Sequence, residues 1–121
     1  MPGMRPLTVI VAGPDPARFH AALSLAAAAA ALDRPVRLFL QAEAVALLRA
    51  PIAAPGDAAY AKAGMPVLAA LLEEAQALGV AVTACQSGLA LAEMTAAALP
   101  PEVDTGGLIE ALAGHPEIAV F

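Results

Sequence analysis

Apolar positions along the chain alternate between two spacings. Residues 7–12 form a continuous run rich in β-branched side chains that stops at Gly13-Pro14, the signature of a buried strand. Asp15 followed by Pro16 is an N-cap and first-turn pair, so a helix is expected from there to about Leu32. Residues 36–40 read as a second strand and 43–48 as a short helix. Residues 49–64, carrying Pro51, Pro55, Gly56 and Gly64, read as one long irregular segment of the kind that often serves as a lid or interface. From Pro66, the positions Val67, Leu68, Leu71, Leu72, Ala75 and Leu78 recur at helical spacing, with Glu73 and Glu74 on the wet side and Gly79 as the stop. Residues 80–84 predict a third strand with Cys85 at its end, and Ser87-Gly88 opens a helix running to about Leu99 before Pro100-Pro101. Val103 belongs to a short fourth strand, residues 106–113 to a helix closed by Gly114, and 118–121 to a last strand.

This alternation predicts an α/β fold, a three-layer α/β/α arrangement around a mainly parallel sheet of about five strands with right-handed crossovers. Residues 1–121 are read as a single domain, since that length suits one compact unit and is too short for two. Strand order is not legible.

Composition sharpens the picture. Hydrophobic residues make up 60% and charged ones 14%, with a mean hydropathy of +0.76; a disordered chain needs the opposite balance. A membrane span is also disfavoured. The best apolar stretch, 19–32, is shorter than the roughly 20 residues a bilayer requires, contains His20 and lies between Arg18 and Asp33. The run at 26–31 is alanine, which favours a helix packed closely on the sheet or a neighbour. The first residues make a poor signal peptide, so a soluble, cytoplasmic protein is expected. Net charge is −5 without a basic cluster, which argues against a nucleic-acid partner. Cys85 is the only cysteine, which excludes an internal disulfide, a CxxC redox pair and a thiolate zinc cage. Neither a GxGxxG turn nor a Walker A loop is present, and Ser87 lacks the GxSxG elbow, so no nucleotide cofactor or hydrolase triad is read.

Ligands of open parallel sheets gather outside the carboxyl ends of the strands. That rule brings together Gly13-Pro14-Asp15, the segment from Gln41 to Glu43, and Cys85-Gln86-Ser87-Gly88. A cysteine at a strand end that leads directly into a helix faces free amide donors, which favour the reactive thiolate. The plain alternative is that Cys85 is a small buried hydrophobe. Gly88 would allow a ligand or backbone to come close. Glu43 either orients a ligand or interacts with the start of its own helix. His20 and His115 have no carboxylate at ligand spacing, so no metal site is read. Tyr60, in the long segment, either folds over the crevice or, the plainer reading, packs, and Arg49 is open to the same two readings.

Four stretches resemble the DsrE/DsrF-like family, small proteins related to sulfur-relay subunits. They are Asp15-Pro-Ala-Arg-Phe-His-Ala-Ala-Leu23, Val36-Arg-Leu-Phe-Leu-Gln-Ala-Glu-Ala-Val45, Leu71-Leu-Glu-Glu-Ala-Gln-Ala-Leu-Gly-Val80 and, most tellingly, Ala84-Cys-Gln-Ser-Gly-Leu89. The resemblance implies the three-layer fold, assembly as a homotrimer or homohexamer, and sulfur carried as a persulfide on Cys85. The amides of Gln86, Ser87 and Gly88 would stabilise the anion, and donor and acceptor proteins would be the partners. A lone cysteine suits that work, because no resolving thiol is present to expel the sulfur. Thr83-Ala-Cys85 is not the Thr-x-x-Cys arrangement of peroxiredoxins. Two other readings stand beside sulfur transfer: a non-enzymatic oligomeric scaffold with an inert cysteine, and a thiol redox sensor working through a sulfenic acid.

Overall fold

A computed structural model describes residues 4–121. Its centre is a five-stranded sheet in which every pairing is parallel. The strands are β1 (Leu7–Val11), β2 (Val36–Leu40), β3 (Ala81–Cys85), β4 (Val103–Gly106) and β5 (Glu117–Val120), in the order β4-β3-β2-β1-β5. The first three crossovers step outward from β1 in one direction, and the last returns past it to the opposite side. Right-handed connections therefore place the helices of the first three crossovers on one face and the helix of the last on the other.

The first face is closed by α1 (Pro16–Ala31) and α3 (Leu68–Ala77). Leu7, Val9 and Val11 alternate towards it from β1, joined by Leu38 and Leu40 of β2 and Val82 and Ala84 of β3. Phe19, Leu23 and Ala26 of α1 and Leu68, Leu71 and Leu72 of α3 complete this core. The alanines at 22, 26, 27 and 30 are all buried, so the alanine run supplies the close-packing side of α1. Asp15 caps that helix by accepting from the Ala17 N–H at 2.9 Å. Gly79, at φ +99°, turns the chain out of α3.

The second face is built differently. It carries only α5, the four-residue helix Leu108–Ala111, and polar groups attach it. Thr8 Oγ1, fully buried, donates to the Ala111 carbonyl at 2.8 Å. The Arg37 guanidinium donates to the carbonyls of Glu110 at 2.8 Å and Ala113 at 2.5 Å. Arg34 pairs with Glu117, and Arg5 donates to the His115 carbonyl at 3.0 Å. Ile10 and Phe39, which point to this face, and Ala111 of α5 are buried, whereas Leu108 and Leu112 are 37% exposed and Ile109 88%.

Several boundaries differ from the sequence reading. The segment 49–64 is not wholly irregular: it contains α2 (Asp57–Lys62), which buries no side chain and so shows no apolar periodicity. The Asp57 carboxylate holds the segment down by accepting from the Ala54 N–H at 3.0 Å and the Leu68 N–H at 2.9 Å. The helix expected from Pro66 begins at Leu68. The helix expected to reach Leu99 is α4 (Gln86–Leu91), followed by a 3₁₀ turn at Ala96–Ala98. It stops early because Glu93 takes φ +54° and Met94 turns back into the core. Gly106 closes β4 instead of opening a helix. Among the described residues, no helix is long and apolar enough to cross a membrane.

Candidate functional site

The carboxyl ends of β2 and β3 meet, and Cys85 stands at that junction. β2 runs into a 3₁₀ helix, Ala42–Leu48, and β3 runs through Cys85 directly into α4. These two short helices pack on each other at Gly88. A Cβ at Gly88 would lie 2.5 Å from Val45 Cγ2 and 2.6 Å from the Ala42 carbonyl oxygen. The approach that Gly88 permits in this structure is therefore that of backbone. Ala42 itself takes φ +50°, a region costly to a residue with a Cβ, and the contact with α4 fixes it there. Arg49 donates to the Ala92 carbonyl at 2.6 Å and so ties the end of the 3₁₀ segment to the end of α4.

Cys85 is a free, half-buried thiol packed against the edge of the core. It is the residue before the first turn of α4, with extended backbone at φ −61° and ψ 126°. Gln86 and Ser87 are exposed, whereas Gly88 is buried. The helix that opens here is six residues long, so an anion at its start would meet the amides of the first turn more than a long aligned dipole.

Glu43 is exposed in the first turn of the 3₁₀ helix. No hydrogen bond or ion pair joins it to Cys85 among the described residues. Gly13 lies at the end of β1, separated from β3 by β2 in the sheet order, with open space where its Cβ would be. The structure thus brings Gln86, Ser87 and Gly88 together with the end of β2, and leaves Gly13 apart.

Three features were not legible in the sequence. His20 of α1 is buried, donates through Nε2 to the Pro66 carbonyl at 2.9 Å if that nitrogen carries the proton, and stacks on Tyr60 with centroids 3.9 Å apart. That stack clamps α2 onto α1. A groove of about 530 Å³ opens on the second face of the sheet, between α5 and β2–β4, lined by Arg37, Phe39, Thr83, Asp104, Gly106 and Glu110. Its wall reaches Gly106, the register partner of Cys85 on β4. Finally, Asp57 has its pKa lowered from the ordinary value, chiefly by the hydrogen bonds from the Leu68 and Ala54 amides and further by the nearby His20. Long-range pairings of this sort leave no local periodicity to read.

Comparison with known proteins agrees with this architecture. The model of the DsrE/DsrF-like family matches residues 6–113, a span that includes Cys85. Among solved structures, the crystal structure of the ychN protein from E. coli matches with a TM-score of 0.74 and 24% sequence identity, covering 98% of this chain and 100% of that one. At that identity the likeness speaks for the fold. No curated protein matches the chain.

Proposed function

The chain belongs to the DsrE/DsrF-like family, and from that membership we propose that it is a cytoplasmic sulfur carrier that holds sulfane sulfur on Cys85. The observation that carries the proposal is the position of the lone thiol, half-buried at the end of β3 and directly before the amides of Gln86, Ser87 and Gly88. In the reaction, the Cys85 thiolate attacks the terminal sulfur of a donor persulfide. A Cys85 S–S bond forms, the donor S–S bond breaks, and the donor leaves as its thiolate. An acceptor thiolate then takes the outer sulfur, and Cys85 is released as thiolate again. No external oxidant or reductant is consumed. Without a second cysteine the chain cannot expel the sulfur as an internal disulfide. The protein acts as a homotrimer or homohexamer beside donor and acceptor proteins, in keeping with the apolar side chains it turns outward.

Incubation with a polysulfide, or with a cysteine desulfurase and cysteine, followed by intact-mass measurement tests this. The expected result is a gain of one sulfur atom, reversed by a reductant and lost in Cys85→Ser with the fold intact. Loading that persists in Cys85→Ser overturns it.

A second reading, an oligomeric scaffold with an inert cysteine, is favoured by the packing of Cys85 against the core edge. Under that reading the native protein gains no sulfur, and Cys85 alkylates only as the protein unfolds.

A further inference from the structure

We infer that the groove between α5 and the sheet binds a small aminothiol that takes the sulfur from Cys85. The inference rests on the sulfur-carrier reading above and gives an acceptor for it by chemical class. At about 530 Å³ the groove lies in the size range of small-molecule sites. Its floor is a register row across three strands, Phe39, Thr83 and Asp104. Alternation along β3 sends Val82 and Ala84 into the core of the first face, which puts Thr83 and Cys85 on the groove side. Cys85 stands one two-residue step beyond Thr83, about 7 Å along the strand, just past the end of the groove. Gly106 is its register partner on β4 and keeps the way between them open. A Cβ at Gly106 would lie 3.3 Å from Thr83 Cγ2 and 3.5 Å from Glu110 Oε1.

The charges of the groove name its occupant. Asp104 and Glu110 both line it. Among the described residues neither carboxylate pairs with a cation, the ion pairs being Arg18 with Asp15 and Arg34 with Glu117. Arg37 is the only basic side chain of the lining, and the carbonyls of Glu110 and Ala113 engage its guanidinium. Glu110 accepts from the Gly107 N–H through Oε1, which leaves its second oxygen uncommitted. Two carboxylates and the Thr83 hydroxyl suit an ammonium, as acceptors of charge-assisted hydrogen bonds, and they repel an inorganic sulfur anion. A thiol with an ammonium a few atoms from its sulfur sets the nitrogen in the groove and the sulfur towards Cys85. Its thiolate then attacks the outer sulfur of the Cys85 persulfide. A new S–S bond forms, the Cys85 S–S bond breaks, and Cys85 leaves as thiolate. The aminothiol departs as a persulfide, and no oxidant or reductant is consumed.

The test is transfer from polysulfide-loaded protein to cysteamine and to mercaptoethanol, which has a hydroxyl in place of the ammonium, at equal thiolate concentration. Wild type is compared with Asp104→Asn and Glu110→Gln, singly and together, circular dichroism confirming each fold. Gln at 110 keeps an acceptor for the Gly107 N–H. Glu74→Gln, at an exposed position of α3, removes the same charge far from the groove. The expected result is a KM for cysteamine at least about tenfold below that for mercaptoethanol. The groove variants narrow that difference and the double variant abolishes it, with kcat and the mercaptoethanol KM unchanged, while Glu74→Gln leaves it as in wild type. Loaded protein that treats the two thiols alike overturns the groove and leaves the sulfur carrier standing. So does a preference that survives the double variant, or that Glu74→Gln reduces equally. A wild type that takes up no sulfur overturns both.

Discussion

The two faces of the sheet are held by different forces. On the α1/α3 face, apolar side chains of strand and helix interdigitate, and Phe19, Leu23, Val9 and Leu38 are fully buried. On the α5 face, Ile10, Phe39 and Ala111 make a smaller buried patch, the helix is attached further through a buried hydroxyl, a guanidinium and main-chain carbonyls, and Ile109 looks away from the sheet. The difference explains how a chain this rich in apolar residues distributes them. One face keeps most of them as a core; the other buries a few and leaves Ile109, Ile118 and Val120 at the surface.

The sharpest way to break this comparison is on the closed face. Phe19→Ala empties a site with no solvent exposure, and a loss of about 3–5 kcal/mol in chemical denaturation is expected; a loss below about 1 kcal/mol would show that the core is not there. On the open face the effects are smaller and local. Thr8→Val keeps the shape but leaves the Ala111 carbonyl without its donor, costing about 1 kcal/mol. Amide exchange should quicken in residues 108–113 and stay unchanged in α1; uniform quickening would mean that α5 belongs to the main core. The smallest effect lies in the segment over α1. The lowered pKa of Asp57 means that its contribution is present above the ordinary carboxylate range and is lost as pH falls through its native-state value. Below that point the Leu68 and Ala54 amides lose their acceptor. Their proton shifts, followed by NMR during acid titration, should move together while β1 amides stay constant.

These contrasts also mark what the sequence made legible. β2 was readable to the residue because its apolar run, interrupted only by Arg37, is bounded by Pro35 and a turn, and α1 because Asp15 and Pro16 announce it. The closed face followed, since its helical periodicity is set by burial. α2 was invisible because it buries nothing, and α4 was overextended because Glu93, not a glycine, takes the positive φ that ends it. At the candidate site, Cys85 and the segment behind it were found from their place at a strand end. The partner of Gly88 was not, because the Ala42 carbonyl is a backbone group brought there by the crossover. Thr8 and Arg37 look like ordinary polar members of strands. Their work depends on a helix joined to them only through the last crossover.

That last crossover has a consequence for how the chain folds. β1 pairs with β2 across one short connection, but its other edge waits for β5, whose register joins Leu7 to Glu117. Closing the longer loop costs on the order of 1 kcal/mol more in chain entropy than closing the shorter one, and contacts of high sequence separation form slowly. β1 is therefore first the edge of a growing sheet and becomes interior only when the final strand docks. Ile118 and Val120 arrive with that strand, so the outward apolar surface is completed at the end of folding, after the core on the other face is already closed.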